Sequence, residues 1–269
     1  MVDMESPREK PDKEPLLMRL TPVSVMHYVK LVYRAALFLA AIVFYVFGRT
    51  ENLSSFSELL KSYPVIFAAI WLVFAVEMLF RFFPSRLESP GCQKQFAANY
   101  VKTGKVDISI QDNNAAVLVA LVWIGFNAVF GALKVFGVID DGILLLIACA
   151  YSVCDMICIL FFCPFQTLFL KNKCCSSCRI YNWDYAMMFT PMVFVKSIYA
   201  WSLVALSFGL LLRWEITIYK HPERFSEATN DYLNCRSCTE KLCTHKKQLH
   251  SLWKHIAEFT AERVRKLKK

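Results

Sequence analysis

Residues 185–212 read YAMMFTPMVFVKSIYAWSLVALSFGLLL, 28 positions that are apolar almost throughout. A helix crossing about 30 Å of hydrocarbon needs about 20 such residues at 1.5 Å each, so length alone admits one ordinary spanning helix. Two residues argue for another path. Pro191 lacks the backbone donor that a helix interior needs, and Lys196 would place a charge in lipid. A bent segment that enters and returns on the same side accommodates both, although two complete crossings do not fit into 28 residues. The side on which the rest of the chain emerges depends on this choice.

Four further apolar stretches precede it, at 33–48, 64–80, 115–138 and 143–170. The first two are short for a crossing, but Tyr, Trp or Arg flank them, and such residues anchor at headgroup level. No comparable length alternates as a barrel strand would. The expected fold is therefore all-α: a polytopic helical membrane protein with four full spans and a fifth apolar segment, re-entrant or spanning. Composition agrees, with 56% apolar residues, 14% aromatics and only 20% charged ones, values that exclude a disordered chain or a charged coiled coil.

Lys and Arg set the orientation. With the amino terminus in the cytosol, residues 1–34, 81–114 and 167–184 hold six, five and three of them, against Arg49 and Lys61 on the other side. The tail from Arg213 onward adds 13, so a re-entrant fifth segment gives 27 against 2, and a crossing one gives 14 against 15. The chain divides into a polar cytosolic leader (1–32), a transmembrane region (33–212) with loops 81–114 and 171–184, and a basic cytosolic tail (213–269). The leader mixes acids, bases and four prolines and does not read as a secretory signal. The net charge of +9 belongs to membrane-flanking loops; no basic run interleaved with stacking aromatics suggests nucleic acid.

The 11 cysteines fall into two sets. Cys149, Cys154, Cys158 and Cys163 lie on the fourth apolar stretch and read as small packing residues. Cys92 stands alone in a loop. The second set occupies polar connections: Lys173-Cys174-Cys175-Ser176-Ser177-Cys178, and Cys235-Arg236-Ser237-Cys238 followed by Cys243 and His245. A Cys-x-x-Cys turn aims two thiolates at one ion, and two such turns complete a tetrahedral site. Neighbouring Lys and Arg favour the thiolate. Cys175, Cys178, Cys235 and Cys238 are the expected ligands of zinc, with Cys174, Cys243 and His245 as alternates. The same cysteines suit an iron–sulfur cluster, although the bacterial ferredoxin spacing is missing. A shared site requires both turns on one membrane face, which again favours the re-entrant path. It also favours a reducing compartment, where thiols ligate metal more readily than they pair.

Four charges fall inside the apolar stretches: Glu77, Lys134, Asp155 and Lys196. Each costs about 2.5–3.5 kcal/mol at the bilayer centre, so each calls for a partner or for water. Asp155 with Lys196 and Glu77 with Lys134 are the expected pairs, with snorkelling an alternative for Glu77 and Lys134, and Asp155 is the candidate for an ion or proton path. Asn127 is an expected interhelical donor. Leu249, Leu252, Trp253, Ile256, Phe259 and Val264 form one face of a basic amphipathic helix in the tail, suited to packing or to an anionic membrane face. Asn52-Leu53-Ser54 matches the glycosylation triplet. No nucleotide loop, zinc-protease motif or nucleophile elbow is present. Three functions follow as expectations: a metal-binding membrane protein whose cytosolic site organises loops or docks a protein partner, a membrane electron-transfer subunit with an iron–sulfur cluster, and a small transporter using Asp155 and Lys196.

Overall fold

The computed structural model describes residues 22–50, 64–84, 90–104, 113–170 and 177–234. The amphipathic tail helix, Asn52 and the thiols of Cys174, Cys175, Cys235, Cys238 and Cys243, with His245, lie outside these residues. Helix α1 spans Pro22–Thr50 and α2 Pro64–Phe80. A short α3 (Pro90–Gln95) is followed by a 3-10 turn at Ala97–Asn99. Helices α4 (Asn113–Val135) and α5 (Asp141–Leu160) form a hairpin. A π turn, Phe165–Phe169, leads on to α6 (Asp184–Phe189), a 3-10 continuation at Thr190–Phe194, and α7 (Ile198–Lys220). No strand occurs among the described residues, only an isolated bridge between Lys102 and Asn230.

Four of these helices, within α1, α4, α5 and α7, are long and apolar enough to cross a membrane, and α2 is a shorter apolar one. Their outer faces carry the residues that lipid tolerates: Phe47, Val65, Leu121, Ile124 and Trp201 are all exposed. The buried core is drawn chiefly from α2, α5, α6 and α7, with Phe74, Met78, Leu144, Tyr185 and Leu210 among its members.

The 185–212 stretch is two limbs rather than one helix. The first enters as α6 and tightens to 3-10 geometry where Pro191 sits. The chain reverses at Val195–Ser197, with Lys196 exposed in the reversal. The second limb runs to Lys220, eight residues past the end of the apolar run, for a length of roughly 35 Å. The apolar pattern stops at Arg213 because that residue and Glu215 reach polar partners at the helix end: Arg213 donates to the Arg81 carbonyl (3.1 Å), and Glu215 accepts from Arg179 and from the Trp183 indole. Two complete crossings indeed do not occur here: the first limb, Asp184–Phe194, is short, and only the second, extended by its charged continuation to Lys220, is long and apolar enough to span. Helix α1 likewise begins at Pro22, eleven residues before its apolar run, with proline at a position where a missing donor costs nothing.

Contacts assign the two ends of the bundle. At one end, Tyr45 of α1 donates to Asp140, Lys134 pairs with Asp141 across the α4–α5 turn, and Phe194 lies against Gly131. At the other, α3, residues 97–104 and residues 221–234 form a polar cap.

Candidate functional site

Inside the cap end, charged side chains from four helices meet in one buried layer. Arg34 of α1 is fully buried and lies between two carboxylates: its Nη2 is 2.9 Å from Glu77 Oε2 of α2 and its Nη1 3.0 Å from Asp155 Oδ2 of α5. The same Nη1 donates to the Ser152 carbonyl at 3.1 Å. Glu77 is further held by Lys30 (3.3 Å), by the Tyr33 hydroxyl (2.6 Å) and by the Tyr185 hydroxyl of α6 (2.9 Å). One helical turn beyond Glu77, Arg81 reaches Asp184 at 2.6 Å. Both guanidinium groups also lie against the Tyr185 ring. Lys30, Arg34 and Arg81 balance Glu77, Asp155 and Asp184, so the layer carries no formal net charge. That neutrality, together with bonds to most of its polar atoms, is what makes such a layer tolerable in a low-dielectric interior.

These partners correct the expected pairs. Asp155 pairs with Arg34, while Lys196 stands exposed in the reversal at the opposite end. Glu77, its side chain only 12% exposed, is multiply bonded rather than snorkelling, and Lys134 pairs with Asp141, 2.6 Å away. Asn127 donates to the Trp123 carbonyl of its own helix and also lies within hydrogen-bonding reach of the Tyr151 hydroxyl on α5, and the Trp123 indole bonds across to Thr190 (3.2 Å). Arg34, Arg81, Asp184 and Tyr185 were not singled out by sequence, because each sits at or beyond the edge of an apolar run. The available signal was spacing: Lys30 and Arg34 are four apart on one helical face, as are Glu77 and Arg81.

Beside this layer lies a cavity of about 260 Å³ between α4, α5, the π turn and α6. Its wall includes four thiols, Cys154, Cys158, Cys163 and Cys178, and it touches Asp155 and Asp184. Three of the four transmembrane cysteines, read from sequence as packing residues, thus share one space with a member of the loop set. Cys178 packs against Ala116, Val119 and Ile180 and is only 7% exposed. Among the described residues, no three His, Cys, Asp or Glu side chains converge in a way that would hold a metal ion.

The cap brings the chain on either side of the cysteine segments together. Asn182, four residues after Cys178, donates to Gln95 of α3 at 2.7 Å. Asn230 donates to the Lys94 carbonyl at 3.0 Å and to the Arg224 carbonyl at 2.9 Å, and Lys94 lies over the Tyr232 ring. Thr103 and Ala228 are also hydrogen-bonded, and the Asp231 amide donates to Val101 at 2.8 Å. Cys178 and Asn234 therefore belong to the same end of the bundle. No protein-family model, curated protein or solved structure matches the chain.

Proposed function

We propose that the chain is an integral membrane protein that binds a metal ion at its cytosolic face, and that this site ties the basic tail to the cap. Cys175, Cys178, Cys235 and Cys238 are the thiolate ligands in this reading, with Cys174, Cys243 and His245 as alternates. Zinc is the ion, because two Cys-x-x-Cys turns supply the closed tetrahedral set that a structural zinc takes. One observation carries the reading. Cys178 and the residue next to Cys235 emerge from one polar cap, linked through Asn182, Gln95, Lys94 and Asn230. The excess of Lys and Arg at this end supports a cytosolic location, where thiols stay reduced. The ordered site then presents the cap and tail to a protein partner.

A second reading has one observation in its favour. Cys178 lines the apolar cavity within the bundle, so an iron–sulfur cluster on these cysteines would lie close to a space open to a lipid-soluble electron acceptor. Transport through Asp155 draws less support, since Arg34 engages that carboxylate and Lys196 is at the other end.

Metal analysis of the anaerobically purified full chain separates the readings. A colourless protein with one zinc per chain supports the first; a brown protein with iron and sulfide supports the second. Cys178→Ser and Cys235→Ser should each release the metal, as two halves of one site. Metal content unchanged in both variants would contradict the shared site.

A further inference from the structure

Two of the cavity thiols are already in contact. Cys158 lies in the last turn of α5 and Cys163 just past its end, and their side chains are hydrogen-bonded to one another. The Gln166 amide also donates to Cys163 Sγ, at 3.5 Å, a contact that favours negative charge on that sulfur. Between them the chain is non-helical at Phe162–Cys163, and a π turn follows, an irregularity that recurs at functional sites. Apart from Asp155, Asp184 and Gln166, the rest of the wall is aromatic, apolar or thiol. The Trp123 and Tyr151 rings lie 4.6 Å apart at a tilt, and Phe165 meets Trp123 edge-on at 6.0 Å. Two of the cavity's walls are helices with lipid-exposed outer faces, so an occupant arriving from the bilayer would be uncharged, and flat rings suit a planar one. Two neighbouring thiols can give up two electrons and close to a disulfide.

We propose that Cys158 and Cys163 form a redox-active dithiol that passes two electrons to a quinone bound in this cavity. Both S–H bonds break and one S–S bond forms. The two electrons and two protons reduce the quinone to the quinol. The sulfurs close from hydrogen-bond contact to about 2.05 Å, and the irregular segment after α5 takes up the movement. Reduction by a cellular thiol, through exchange at the disulfide, returns the pair to its starting state. Neither cysteine is a ligand of the proposed metal module, although Cys178, which is one, lines the same cavity.

The test uses the full chain in lipid nanodiscs, reduced with a phosphine, desalted without oxygen and mixed with a short-chain ubiquinone. Quinol should form at about one equivalent per chain, and peptide mapping after thiol alkylation should find Cys158 linked to Cys163. Cys158→Ser and Cys163→Ser should each lower the quinol yield by about tenfold or more, and Cys149→Ser, on α5 but outside this cavity, should leave it intact. The mapping of the unmutated chain stands whether or not a variant folds. A disulfide found only elsewhere, quinol formation that survives Cys163→Ser, or no quinol above the protein-free control would overturn the proposal.

Discussion

At the cap end, Arg34, Glu77, Asp155, Arg81 and Asp184 join four helices through ion pairs, whereas at the far end much of the packing is made by glycine and aromatic rings. A Cβ on Gly142 would fall 2.7 Å from the Tyr45 ring, and one on Gly131 would enter the Phe194 ring. Helices in lipid gain little from hydrophobic burial against each other, so close approach and polar bonds hold them together. The two ends use these means in different proportion, since the far end adds only the Tyr45–Asp140 bond and the Lys134–Asp141 pair to its close packing. The far end specifies distance, since only a residue without a side chain lets α5 meet α1 and α4 meet the 3-10 limb. The cap end specifies identity, since a carboxylate from α2 and another from α5 fit one guanidinium from α1.

The largest effect should come from removing the shared cation. Arg34→Ala leaves Glu77 and Asp155 without their central partner and should cost about 3–5 kcal/mol, read as a lowered thermal midpoint in detergent. Arg34→Lys should fall between, because one ammonium cannot reach both carboxylates as the planar fork does. A midpoint for Arg34→Ala equal to that of the parent would mean that the layer does not hold the helices together.

A smaller effect should follow at the far end. Gly131→Leu should cost about 1–3 kcal/mol by overpacking against Phe194. Gly125→Ala, in the same helix with open space around the added carbon, should be neutral or slightly stabilising. Equal thermal midpoints for the two variants would remove the close-packing account of this end.

The helical membrane class was legible in the apolar runs, because periodicity and length follow directly from the bilayer. Pro191 and Lys196 also marked the break in the 185–212 stretch, and the structure turns beside them. The extent of α7 was hidden because Arg213 and Glu215 look like the start of a polar tail until their partners, at positions 81 and 179, are known. The ionic layer was hidden for the same reason. Asp155 and Glu77 were visible as costly charges, but their common partner, Arg34, sits at the edge of an apolar run that does not mark where the helix begins. Spacing identified the loop cysteines as a group. It could not show that Cys178 shares a cavity with Cys158 and Cys163, since that meeting depends on α6 folding back along α5.

The sidedness of the cysteine segments bears most directly on this account. Cells expressing the full chain are treated with a membrane-impermeant maleimide, intact or opened, with a chelator present to free bound thiols, and the modified peptides are mapped. Cys174, Cys175, Cys235, Cys238 and Cys243 should all be modified in opened cells and protected together in intact ones. Modification of the tail cysteines in intact cells, with Cys174 and Cys175 still protected, would place the two segments across the bilayer and contradict a shared metal site.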